Sequence, residues 1–168
     1  MISREEALDL LEEVGTPQEV VEHSTFVSKQ AVKFAKKITA VPVDLALVEI
    51  GGLLHDIGRS QSYGIDHGIK GGIILREHGL EALALISERH IGAGISREDA
   101  PKLGLPKKNY LPETIEEKVV CFVDFLTDDV HLMSFAEALR KLKEDVGHDH
   151  PAVHRAEELN QELAALCY

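Results

Sequence analysis

Helix start and stop signals recur from one end of this chain to the other, and no useful length of it alternates apolar with polar residues as a strand would. "SREEALDLLEEVG" opens with Ser3 and Glu6 as a capping box, sets Leu8 and Leu11 at helical spacing and stops at Gly15. "TPQEVVEHSTFVSKQAVKFAKKI" reads as a longer helix, with Thr16 as cap, Pro17 at the first helical position and Glu19 completing a second box. Val20, Val27, Ala31 and Phe34 share one stripe of it; His23 falls on that stripe, so its ring points inward. A third helix is expected from Val43 to about His55, with Gly58 as a left-handed stop, and a fourth from a cap at Asp66 to Gly79. "LEALALISERHI" follows, then the loop "GAGISREDAPKLGLPKKNYLP" with at most a short helix. A Thr114–Glu117 box opens "IEEKVVCFVDFLT", and two more helices cover about Ser134 to Val146 and Pro151 to Leu166.

The fold class is therefore all-α. The expected organisation is a single domain over 1–168, with a helical core of about 16–128 and an amphipathic C-terminal appendage of about 134–168. That appendage packs on the core or on a second subunit, which admits a homodimer. At 168 residues, 44% hydrophobic and 28% charged, the chain has the composition of a globular protein, and no apolar run approaches the roughly 20 residues that span a bilayer. The acidic, amphipathic N-terminus lacks the basic and apolar regions of a secretory signal, so a cytoplasmic location and no membrane partner are expected.

Cys121 and Cys167 stand far apart, which suggests neither a disulfide framework nor a thiolate metal site. A net charge of -11 and sparse aromatics argue against a nucleic acid polymer as partner, since backbone binding relies on clustered Lys and Arg. A small phosphorylated substrate stays compatible, because one bound cation reverses the local sign. Histidine is abundant at nine residues, and neutral imidazole is the commonest metal-ligating side chain.

"GGLLHDIGR" places His55 and Asp56 at the end of an apolar run, where an unpaired carboxylate is among the costliest groups to bury. Asp124 meets the same problem inside "VVCFVDFL". A hydrogen-bonded structural pair would answer it, and so would a metal ion. Carboxylates and inward histidines scattered over several helices, with His23, His67 and His90 among them, are what a metal site in a bundle core requires.

The order His23, then His55-Asp56, then Asp124, with "HDIG" at 55–58, resembles the HD-domain metal-dependent phosphohydrolase superfamily from about Glu22 to Asp128. "DHGIKGG", with His67, and "SERHIGAG", with His90, resemble its dinuclear branch, which includes cyclic-dinucleotide phosphodiesterases and symmetrical diadenosine tetraphosphate hydrolases. Uncharacterised archaeal HDIG proteins look similar. The resemblance implies an HD-like bundle with two extra C-terminal helices. It also implies His23, His55, Asp56 and Asp124 around one ion and His67 and His90 around a second, with Asp56 bridging.

His78 takes the place of His67 if the fourth helix is shifted; His67 is preferred because helix N-termini favour anions. Mixed imidazole and carboxylate ligation suits two divalent ions such as iron, manganese, nickel or zinc. The activity implied is hydrolysis of a phosphoanhydride or phosphodiester of a small nucleotide or dinucleotide by a metal-activated water. Asp56 and Arg59 carry the catalytic roles, and Arg59 and Lys70 contact the substrate phosphate. Two other readings remain open: a mononuclear nucleoside-monophosphate phosphatase needing no His67 or His90, and a non-catalytic metal- or nucleotide-binding module.

Taken singly these residues have plainer explanations, a hydrogen-bonded core histidine for His23 and ordinary surface charges for Arg59 and Lys70. His78 reads as a helix-end histidine. His131, His148, His150 and His154 read as solvated surface, and "GAG" at 92–94 as a flexible turn.

Overall fold

The first helix starts where its capping box places it. In the computed structural model, which describes residues 1–167, Ser3 accepts from the Glu6 amide while Glu6 accepts from the Ser3 amide, opening α1 (Arg4–Glu13). Its far end is a Schellman turn. Gly15 sits at φ 73, its N–H donates to the Glu12 carbonyl, and the Thr16 N–H reaches back to Leu11.

That turn overturns the second capping box. Thr16 belongs to the exit of α1, so α2 (Gln18–Ala35) begins after Pro17 with no side-chain cap, and the Thr16 hydroxyl is buried without a partner among the described residues. α2 also stops before Ile38, because Ile38 enters the core and pairs with Cys167, and the Thr39 and Ala40 amides donate to Leu166.

α3 (Leu45–Leu54) is capped by Asp44, whose carboxylate accepts from the Leu47 amide. Gly58 is not a left-handed stop. It lies in a tight 3-10 turn, Ile57–Ser60, where an added Cβ would collide with the His67 carbonyl and stand 2.5 Å from the Gly71 nitrogen. Gly58 is there for close approach: the chain leaving α3 runs against the first turn of α4 (His67–Glu77). Asp66 does not cap α4 with its side chain either. Its backbone is already helical at ψ -2, and its carboxylate accepts from Ser62 Oγ and faces Lys70 instead.

α5 (Glu81–Arg89) returns antiparallel along α4, and the 92–112 loop contains only a 3-10 turn at Ala100–Leu103. Its own small core of Ile95, Ala100, Leu105 and Tyr110 packs against Ile69 and Ile91, which the Gly- and Pro-rich composition did not signal. The Thr114–Glu117 box opens α6 (Ile115–Phe125). A four-residue β-ribbon follows, Thr127–Asp128 against His131–Leu132, too short to show as alternation. α7 (Phe135–Val146) starts from a third capping box, Ser134 with Glu137, and α8 (Pro151–Leu166) from His150, whose ring accepts from the Ala152 amide.

Eight helices among the described residues make the fold all-α. α2 packs on α3 and α6, and α4 on α5. The main core runs from Leu11 through Val27, Leu53, Leu75, Ile86 and Val120 to Leu163, so α1 and α8 share it with the central helices. Among the described residues no helix is long and apolar enough to cross a membrane.

Candidate metal centre

Each of the four histidines His23, His55, His67 and His90 ends up in one place with one ring orientation, for a reason found in the backbone. His55 Nδ1 lies 2.8 Å from the Gly52 carbonyl, His67 Nδ1 2.8 Å from Gly64, and His90 Nδ1 2.7 Å from Ser87. His23 Nδ1 lies 2.6 Å from the Asp129 carbonyl in the turn of the β-ribbon. A carbonyl only accepts, so every Nδ1 carries the proton and every Nε2 presents a lone pair when the ring is neutral.

The Nε2 atoms converge on two carboxylates. His23 and His55 stand 3.0 and 3.3 Å from Asp124 Oδ1, and 3.9 and 3.7 Å from Asp56 Oδ2. His67 and His90 stand 3.1 and 3.2 Å from the other oxygen, Asp56 Oδ1. Ligand atoms bound about 2.1 Å from one ion lie roughly 3.0–3.4 Å apart at cis angles, so most of these spacings are those of a donor set around a cation. His23, His55 and Asp124 form one such group, and His55, Asp56 and His90 another.

Two features leave the cluster unsatisfied when its rings are neutral. His67 Nε2 and His90 Nε2 are 3.1 Å apart with both Nδ1 protons already given to carbonyls, so in the neutral rings two lone pairs face each other. Asp56 Oδ1 and His55 Nε2 are buried without an aligned hydrogen-bond partner. Six N and O donors in this arrangement fit a divalent transition metal.

The electrostatics agree. Burial disfavours charge on His55, but Asp56 and Asp124 lift its pKa to about 9. Burial likewise opposes ionisation of Asp124 and Asp56, yet the surrounding imidazoles, His55 foremost, hold both carboxyls well below the usual range. His90, enclosed and close to His55, is pushed down. The cluster behaves as a negative pocket that takes up a proton where it would take up a cation.

Arg59 reaches this centre. Its Nε donates to Asp56 Oδ2 at 2.8 Å, which turns that oxygen toward His23 and His55 and leaves Oδ1 for His67 and His90. Together with Glu19, Val20, His23, Asp56, Tyr63 and Asp129 it lines a cavity of about 220 Å³. Lys70 is not in that wall; it pairs with Asp66 at 3.3 Å. His78 sits at the C-terminus of α4 with its Nδ1 against the Ile74 carbonyl, outside the cluster. His131, His148 and His154 are exposed, and His150 is the α8 cap.

Sequence reasoning missed Asp129. Its φ of 55 is the one positive value outside glycine among the described residues, and that turn aims the carbonyl at His23. The signal available was the turn-prone "DDVH" after Phe125.

The HD domain family model matches residues 20–127, a span that encloses every histidine and aspartate of the cluster. An uncharacterized protein of Methanocaldococcus jannaschii is 46% identical over 162 residues, covering 95% of each chain. A tRNA (cytidine(56)-2'-O)-methyltransferase of Picrophilus torridus is 38% identical over 164 residues, 97% of this chain but 47% of that protein. A protein of the same name from Thermoplasma volcanium is 49% identical over 120 residues, 71% of this chain and 35% of its own. The chain thus spans about half or less of these methyltransferases. No solved structure matches significantly. With the His, His-Asp, Asp order folded into one donor set inside the matched span, this chain belongs to the HD domain family.

Proposed function

We propose that this protein is a metal-dependent phosphohydrolase that cleaves a phosphoanhydride or phosphodiester bond of a small nucleotide. The observation that carries the reading is the opposed pair of Nε2 atoms on His67 and His90 beside Asp56 Oδ1, a second donor group that a single ion at His23, His55, Asp56 and Asp124 leaves unused. Asp56 then serves both groups, one carboxylate oxygen each. When bound, two divalent ions supply an activated water and offset the charge that grows on the phosphoryl group.

The chain's own residues do the rest. Four backbone carbonyls hold the imidazole lone pairs inward, and Arg59 fixes the rotation of Asp56. The Arg59 Nη groups, on the cavity wall, offer a cation to a phosphate oxygen. A nucleoside phosphate leaves as a stable anion, so this scheme needs no dedicated acid for it.

The test is metal content per chain in protein purified without chelator or affinity tag, paired with turnover of dinucleotides and phosphate esters before and after reconstitution. About two ions and metal-dependent hydrolysis, both reduced in His67→Ala and His90→Ala, support the reading. Full activity in both variants with one ion would replace it with the mononuclear phosphatase.

A second reading draws on the two relatives named tRNA methyltransferases. There the domain would be a non-catalytic metal-bound module serving an RNA-modifying assembly. It predicts tRNA binding in a gel shift without turnover of any phosphoryl compound, and the net charge of -11 works against it.

A further inference from the structure

The cavity over the metal centre has an aromatic wall that the hydrolytic reading does not use. Tyr63 is 62% exposed, and among the described residues it is the one exposed ring of a tyrosine or phenylalanine; the five phenylalanines and Tyr110 are buried or half-buried. It sits in the short segment between the 3-10 turn and α4, and it lines the same cavity as His23, Asp56 and Arg59. Two contacts fix the ring. Its hydroxyl donates to Glu19 Oε1 at 3.1 Å, tying the segment to α2, and the Arg59 guanidinium stands 5.8 Å from the ring centroid.

Asp56, Arg59, Tyr63 and Glu19 thus line one wall of the cavity. The ring, held at both ends, leaves apolar surface open to the cavity. A ligand with its phosphate at Asp56 and Arg59 would extend along this wall and bring its next group to Tyr63.

We propose that Tyr63 is the platform on which the base of a nucleotide stacks while its phosphate sits at Asp56 and Arg59. The inference rests on the phosphohydrolase reading and names what selects the substrate: a flat ring attached to the phosphate through a sugar, rather than phosphate alone. Base stacking tolerates different bases, because each has a π-face, so the subsite discriminates nucleotides from sugar phosphates more than one base from another.

Calorimetric titration of the metal-reconstituted protein with adenosine 5′-monophosphate and with ribose 5-phosphate tests this. The wild type is expected to bind the nucleotide about 5- to 150-fold more tightly, the range that one stacked base provides. Tyr63→Ala collapses that preference, whereas Tyr63→Phe, which keeps the ring and loses the Glu19 bond, retains most of it. Equal binding of both ligands by the wild type, no binding of either, or an undiminished preference in Tyr63→Ala overturns the inference. Base-dependent binding without turnover of any phosphoryl compound supports the platform and sinks the hydrolase reading. Hydrolysis without base dependence does the reverse.

Discussion

At the scale of single residues, the centre is a contest between protons and metal ions for the same lone pairs. His55 shows it most clearly. Its pKa in the metal-free protein is raised to about 9 by Asp56 and Asp124 against the pull of burial, so at pH 7 the ring is charged. The sign follows: this charged pairing stabilises the metal-free fold fully below the unfolded value of about 6.5 and is lost as pH rises through about 9. Metal needs the lone pair, so uptake at pH 7 expels a proton. Apparent metal affinity should rise about tenfold per pH unit toward 9, and calorimetry in buffers of unlike ionisation heat should show the released proton. Uptake with no proton release would mean that His55 is neutral and that the carboxylates act elsewhere. His55-Asp56 and Asp124 were legible in the sequence because an apolar neighbourhood makes an ionisable residue conspicuous. Tyr63 and Asp129 were not, since each acts through surroundings supplied by distant segments: Glu19 for one, His23 for the other.

At the scale of elements, what the sequence concealed is mostly where two backbones meet. The capping boxes at Ser3 and Thr114 were readable because cap and partner lie within one turn. The false box at Thr16 failed because the preceding helix claimed its amide first, a competition between neighbours that a pattern of residue types does not show. Gly58 was misread for a similar reason: its purpose lies in α4, not in its own dihedral angles. Gly58→Ala should destabilise the protein by about 3 kcal/mol, because the atoms in the way are backbone and cannot turn aside. Chemical denaturation measures that cost, and lowered metal content in the variant would show that the contact also sets the start of α4 and hence His67.

A second element-level device joins α4, α5 and the following loop: Glu88, 4% exposed at its side chain, receives Arg76 and Lys108. Burial alone would raise its pKa, but these two cations hold it below the ordinary value. The stability it contributes is present above the unfolded value of about 4.3 and fades as pH falls through the folded one. Glu88→Gln should therefore flatten the acid limb of a melting-temperature profile and leave a lower plateau at neutral pH. An unaltered acid limb would assign the acid sensitivity to other carboxylates.

At the scale of the molecule, four histidines and two aspartates are gathered from α2, the end of α3, α4, the end of α5 and α6, so a metal ion held by them would crosslink nearly all the central helices. Saturating metal at about a thousand times its Kd should stabilise the fold by about 4 kcal/mol. For a domain of this size that is roughly 8–16 °C in Tm, lost on chelation and recovered on re-addition. A melting temperature indifferent to chelator would mean that the cluster holds no metal in solution.

The four carbonyls behind the imidazoles have one more consequence. Because they set the tautomers in advance, the site does not have to fold around its ion, and it has little means of refusing one. A rigid set of nitrogen and oxygen donors ranks metals by the general affinity order of the first transition series rather than by shape. Occupancy should then follow supply: protein made in zinc-rich medium should carry zinc and protein made in iron-rich medium iron, so that the cell's metal economy, not the chain, would decide which ion is found there.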